Sequence, residues 1–235
     1  MRADVHPGCE AVILLCRLIR QRQRLIIKTA SDKVVQTQLQ GLRLAFPLQA
    51  RIEAASQSAR RAYTTLLSAW LNTGKPPQGD AVSAAALAEL LALDAVVQTE
   101  SGLGCYPFSA RETAIRLELD GQWLYAMCAV DALAVAALAQ TAVVITSVCS
   151  HCAQPLHLRS DADGQIQVLG TVAVRVEYRQ LAQHHTQCSA DLCPGIVFVC
   201  EPCAAQQAES DTLLTLAQAS AVARSFFAFQ TALLK

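Results

Sequence analysis

Two short cysteine pairs constrain this chain more than any other feature. Cys149-Ser-His-Cys152 and Cys200-Glu-Pro-Cys203 are C-x-x-C pairs separated by 47 residues. Each pair can chelate one ion from a single turn, and the fold must close the long separation for all four thiolates to share it. A tetrathiolate zinc site over Cys149, Cys152, Cys200 and Cys203 is the metal expectation. The plain alternative is a cysteine-rich chain in which such pairs arise by chance. A redox reading competes for the second pair, because "GIVFVCEPCAAQQAE" runs strand, C-x-x-C and helical segment as thioredoxin-like sites do. The surrounding order is not a clean βαβ alternation, however, and that reading leaves the first pair unexplained.

Ten cysteines in 235 residues are many, but a chain that is 53% hydrophobic is too long and too apolar for a small disulfide scaffold. It can bury a sizeable core, which excludes a disordered protein. Free thiols in such a chain suit a reducing cytoplasm, where they serve as ligands or nucleophiles. The formal net charge of zero hides an asymmetry: residues 1–60 hold ten Lys/Arg against four Asp/Glu, and the remainder nine against fifteen. Arg17, Arg20, Arg24 and Lys28 share one helical side of "CRLIRQRQRLIIK". A solvated helix face explains them better than a nucleic-acid contact, so nucleic acid is not an expected partner. "AVILLC" is too short for a signal core, and residues 132–148 change midway from Ala/Leu to Val/Ile/Thr, a helix followed by a strand rather than a span in lipid. No membrane association is expected.

Residues 48–72 have helical periodicity up to the breaker "TGKPPQGD", and "SAAALAELLAL" predicts a second helix. "DAVVQTESGLGCYPF" predicts a hairpin, which completes the helix–helix–hairpin order of a winged-helix unit. A second hairpin turns at Asp120-Gly121, then come a helix over 132–140, a strand at "TAVVITSV", a hairpin over "PLHLRSDADGQIQVL", strands at "VAVRVEY" and "GIVFV", and an amphipathic helix over 211–234. The expected fold is α+β: a helical winged-helix-like N-terminal unit, then a mixed or antiparallel sheet body with flanking helices. The expected division is a basic extension over 1–45, the winged-helix-like domain over 46–108 and the α+β catalytic domain over 109–235.

"LYAMCAVDAL" places Cys128 and Asp131 three residues apart in an apolar stretch. By spacing alone the plain reading prevails, with Cys128 a small core residue and Asp131 a helix N-cap. The longer context changes this. Arg111-Glu112-Thr113, a hairpin, Leu124-Tyr125-Ala126, Cys128-Ala129 and Asp131, with Cys149 about twenty residues on, resemble the core of the organomercurial (alkylmercury) lyase family. The resemblance covers roughly residues 60–235. "CPGIVFV" puts Cys193 at the family's next cysteine, with Val199 a departure from an aromatic position and Cys188 as the fallback thiol. Met127 is a second departure, standing where the family has tryptophan. Cys152, Cys200 and Cys203 lie outside the family pattern.

The resemblance implies protonolysis of a carbon–mercury bond. Cys128 and Cys193 bind the soft metal, and Asp131 relays a proton from thiol to carbon. It implies an organomercurial substrate, cellular thiols or a mercury-accepting protein to take the product, and no required cofactor beyond the structural zinc that the cysteine pairs allow. The alternative is a non-catalytic zinc- or mercury-binding or sensing protein on the same scaffold; it gains if Cys193 joins the four-cysteine group. The histidines add little: His184-His185 are read as an exposed pair or fallback ligands, and His151 and His157 as facing solvent or a neighbouring strand.

Overall fold

The structure, a computed structural model, describes residues 32–179, 187–207 and 212–235. The basic segment carrying Arg17, Arg20, Arg24 and Lys28, the "AVILLC" run and His184-His185 lie outside these residues. No described helix is long and apolar enough to cross a membrane.

The body is α+β. Helix α1 covers residues 32–45. It is followed by α2 (Leu48–Ala54), α3 (Gln57–Thr73) and α4 (Ala84–Ala92). The periodicity of 48–72 therefore contains a break that its pattern conceals. Ala55 and Ser56 are extended, and the Ser56 hydroxyl accepts the N–H of Ala59 to cap α3. Glu89 of α4 fixes the break from afar, accepting the Ser56 N–H at 2.7 Å and its hydroxyl at 2.6 Å.

Strands β1 (Val96–Thr99), β2 (Gly102–Cys105), β3 (Phe108–Ser109), β4 (Arg116–Leu119), β5 (Gln122–Ala126), β6 (Val143–Val148), β7 (Pro155–Ser160) and β8 (Ile166–Val168) form one antiparallel sheet, ordered β1-β2-β3-β5-β4-β6-β7-β8. The β4–β5 turn is the expected one: Asp120 and Gly121 have φ of 49° and 76°, the left-handed pair that a two-residue hairpin needs. The expected boundary at 108/109 falls inside β3, so the sheet runs across it.

A second antiparallel sheet, ordered β10-β9-β11, consists of β9 (Val174–Tyr178), β10 (Ile196–Cys200) and β11 (Leu213–Thr215). The last segment is thus not helical throughout. Leu213–Thr215 pairs with β9, and a capping box between Thr215 and Gln218 starts the final helix only at Leu216. Between the strands lie α5 (Ala129–Ala139), the short turns α6 (Cys188–Asp191) and α7 (Glu201–Ala204), and the closing α8 (Leu216–Leu233).

Helix α5 explains the apolar character of its sequence. Nine of its eleven residues are buried, because it packs against α8, β10 and the large sheet at once. A helix enclosed on every side has no polar face to keep. Its N-terminus points an acid into this interior.

Candidate active site

Thr113 explains why the Arg-Glu-Thr segment precedes the site. Its hydroxyl lies 2.7 Å from the carbonyl oxygen of Ala126 and accepts the N–H of Ile115, tying the entry to β4 onto the end of β5. The chain leaving β5 passes Met127, whose N–H donates to the Pro107 carbonyl, and enters α5 at Cys128. Gly104 makes room for the methionine: a Cβ there would sit 2.9 Å from Met127 Cε.

Cys128 is the N-cap of α5, and its sulfur accepts the Asp131 N–H at 3.4 Å. Asp131 is therefore not the N-cap that spacing alone suggested, but an acid inside the first turn with 3% exposure. From the far end of the sequence, the turn before β10 brings Cys193 to the same point. Its Sγ donates to Asp131 Oδ2 at 3.7 Å. The two sulfurs and the carboxylate oxygen all lie within 4.8 Å of one another, and all three residues are buried.

Burial dominates the electrostatics of this trio. It raises the Asp131 carboxyl to about 7, with the neighbouring thiols of Cys128 and Cys193 pulling the other way. Burial likewise pushes the Cys128 thiol up to about 12. Hydrogen bonding to Cys128 and Cys188, with burial, raises Cys193 well above the ordinary thiol range. Two neutral thiols thus face an acid poised near neutrality. They open onto a cavity of about 280 Å³, whose walls include Arg111, Thr113, Met127, Ser150 and Phe198. A larger groove runs along α3 beside Arg60 and Arg61, but neither thiol nor carboxylate lines it.

Cys188, the fallback, lies 3.6 Å sulfur to sulfur from Cys193 but does not line the cavity. Sequence reasoning missed what holds this segment. Asp94 Oδ2 accepts the Cys188 N–H at 2.8 Å, and the Tyr106 hydroxyl accepts the Ser189 N–H at 2.9 Å while donating to Asp94. No local motif signals Asp94, whose partner is 94 residues away.

The two C-x-x-C pairs also meet, apart from this trio. The sulfurs of Cys149, Cys152, Cys200 and Cys203 lie within 4.8 Å of one another, and Cys193 is not among them. Burial opposes ionisation of Cys149, but N–H donors from Cys200, Cys152 and His151 overcome it and lower the thiol to about 6. The thioredoxin-like arrangement is absent around Cys200 and Cys203. Their strand belongs to an antiparallel sheet, and the helix after it has four residues. His151 faces Glu177, 2.9 Å away.

A family model described as alkylmercury lyase matches residues 108–228, just over half the chain. The chain belongs to the alkylmercury lyase family. Carbon–mercury lyase is accordingly its class of activity, and an organomercurial its class of substrate. Among solved structures, one titled as the mercury-bound form of MerB2 is similar in fold, with a TM-score of 0.59 at 14% identity, covering 80% of this chain and 97% of that one. No curated protein matches the chain significantly.

Proposed function

We propose that this family member cleaves carbon–mercury bonds by protonolysis, with Cys128 and Cys193 taking the mercury and Asp131 moving the proton. The observation that carries the reading is the meeting of two buried thiols, both lining a cavity, with one buried carboxyl within 4.8 Å of them. Mercury(II) is soft and favours sulfur, so an organomercurial cation entering the cavity meets the ligands it prefers. As one sulfur bonds to mercury, its thiol proton passes to the Asp131 carboxylate. As the second sulfur bonds, the carbon–mercury bond breaks, its electron pair stays on carbon, and carbon takes the proton from Asp131. The second thiol's proton leaves to solvent or to the ligand that mercury brought. The products are a hydrocarbon and a mercury(II) dithiolate, from which cellular thiols or a mercury-accepting protein remove the metal. Cys193 fills the second place rather than Cys188, because it is Cys193 that contacts Asp131 and faces the cavity.

Several further readings rest on this one. We read helices α3 and α4 with the β1–β2 hairpin as a winged-helix-like cover, and Asp94 within it and Tyr106 just after it steady the Cys188–Cys193 segment. The eight free thiols among the described residues suit a reducing cytoplasm. A purely sensing role is disfavoured because Cys193 stands with the acid rather than with the four-cysteine group. The test is hydrocarbon release from a simple organomercurial in excess thiol. Wild type and Cys188→Ala should turn over, and Cys128→Ser and Cys193→Ser should not. Turnover that survives loss of Cys193 but not of Cys188 would overturn the assignment.

A further inference from the structure

The four-cysteine group lies where two sheets meet. Cys149 follows directly on β6 of the large sheet, and Cys200 closes β10 of the small one. Each pair is shaped by its backbone. The first closes a turn in which the Ala153 N–H returns to the Cys149 carbonyl at 2.9 Å, with Ala153 itself in the left-handed region at φ 58°. The second is held in the short turn of α7. The pairs are stitched together by the Cys200 N–H, which donates to Cys149 Sγ at 3.3 Å. Around them, Arg175 binds Glu201 through two contacts of 2.8 and 3.0 Å, and Arg179 joins Glu177 to Ser150.

A tetrahedral centre with metal–sulfur bonds of about 2.3 Å needs sulfurs roughly 3.8 Å apart. Cys152 and Cys200 stand 3.7 Å apart, and all four sulfurs fall within 4.8 Å. The 3.7 Å separation is far beyond a disulfide bond of about 2.05 Å, and all four are free thiols. The donor set contains no oxygen or nitrogen, since His151 is engaged by Glu177 instead. On the mechanism proposed above, mercury(II) is taken by the two thiols at the other site. Four converging sulfurs on two turns are the arrangement of a closed structural zinc site.

We propose that Cys149, Cys152, Cys200 and Cys203 hold one structural zinc ion that clamps the end of β6 to the end of β10. The clamp shapes the reaction cavity, because Ser150, inside the first pair, and Phe198, two residues before the second, both line it. The Ser150 N–H also donates to the Phe198 carbonyl at 3.0 Å, which ties the first knuckle to the cavity wall beside the second.

The experiment is elemental analysis of the reduced full-length protein, with zinc affinity measured by competition against a chromophoric chelator. Wild type and Cys193→Ser should each carry about one zinc per chain and no stoichiometric iron. Cys152→Ser, at the exposed corner of the group, should weaken zinc binding by more than the roughly 10- to 100-fold that follows loss of an outer hydrogen-bond partner. Stripping zinc from the wild type should lower its melting temperature, and adding zinc back should restore it. This second readout stands even if a cysteine variant fails to fold. Metal-free protein that ignores added zinc, iron in place of zinc, or zinc that disappears with Cys193→Ser while surviving Cys152→Ser would each overturn the proposal. None of these readouts uses turnover, so the clamp and the lyase mechanism can fail separately.

Discussion

Asp131 is held as a neutral acid over much of the weakly acidic range because it sits at 3% exposure among apolar side chains. The linkage has a definite sign. The carboxyl rises from 3.8 to about 7 on folding, so the native state keeps a proton that the unfolded chain gives up between those values. Native stability is therefore undiminished below about pH 4, falls as pH rises toward 7, and carries a penalty on the order of 4 kcal/mol above it. Asp131→Asn removes this titration. Urea melts of the two proteins at pH 5 and pH 8 should show the variant gaining roughly 2–3 kcal/mol on the wild type between them. A stability difference that does not change with pH would contradict the raised carboxyl. None of this was legible in the sequence spacing of Cys128 and Asp131. That spacing fits a capping pair equally well, and the cap is in fact Cys128 with Asp131 beyond it. The resemblance to the alkylmercury lyases, and not the spacing, singled out these two residues.

Elements with local causes were legible, and elements with distant causes were not. The β4–β5 hairpin follows from Asp120-Gly121, two residues that accept positive φ. The change of composition inside 132–148 gives α5 and β6. By contrast, the break between α2 and α3 depends on Glu89, 33 residues from Ser56, and the strand β11 on pairing with β9. The segment bearing Cys188 and Cys193 shows the same limit at the proposed site, because its anchor is Asp94, between α4 and β1. Asp94→Ala leaves the buried Cys188 N–H without its acceptor, a loss of about 1–3 kcal/mol. It should also slow turnover by loosening Cys193, while zinc content stays the same. Thermal melts and hydrocarbon release check both, and a variant unchanged in each would remove Asp94 from the account.

At the scale of the whole molecule, the α+β class was readable from the order of helical and alternating runs, but the joining of two sheets was not. The proposed chemistry depends on that joining. Asp131 and Cys193 are 62 residues apart and meet only because β10 lies over α5. The other end of β10, beside the end of β6, brings the two cysteine pairs together. The central claim is that this meeting makes Asp131 a proton carrier between sulfur and carbon. The most direct measurement is single-turnover hydrocarbon release from a simple organomercurial bound to Asp131→Asn, which keeps both thiols and the side-chain volume. The account predicts retained binding with release slowed on the order of a hundredfold to ten-thousandfold. Release at the wild-type rate from a stably folded variant would contradict it.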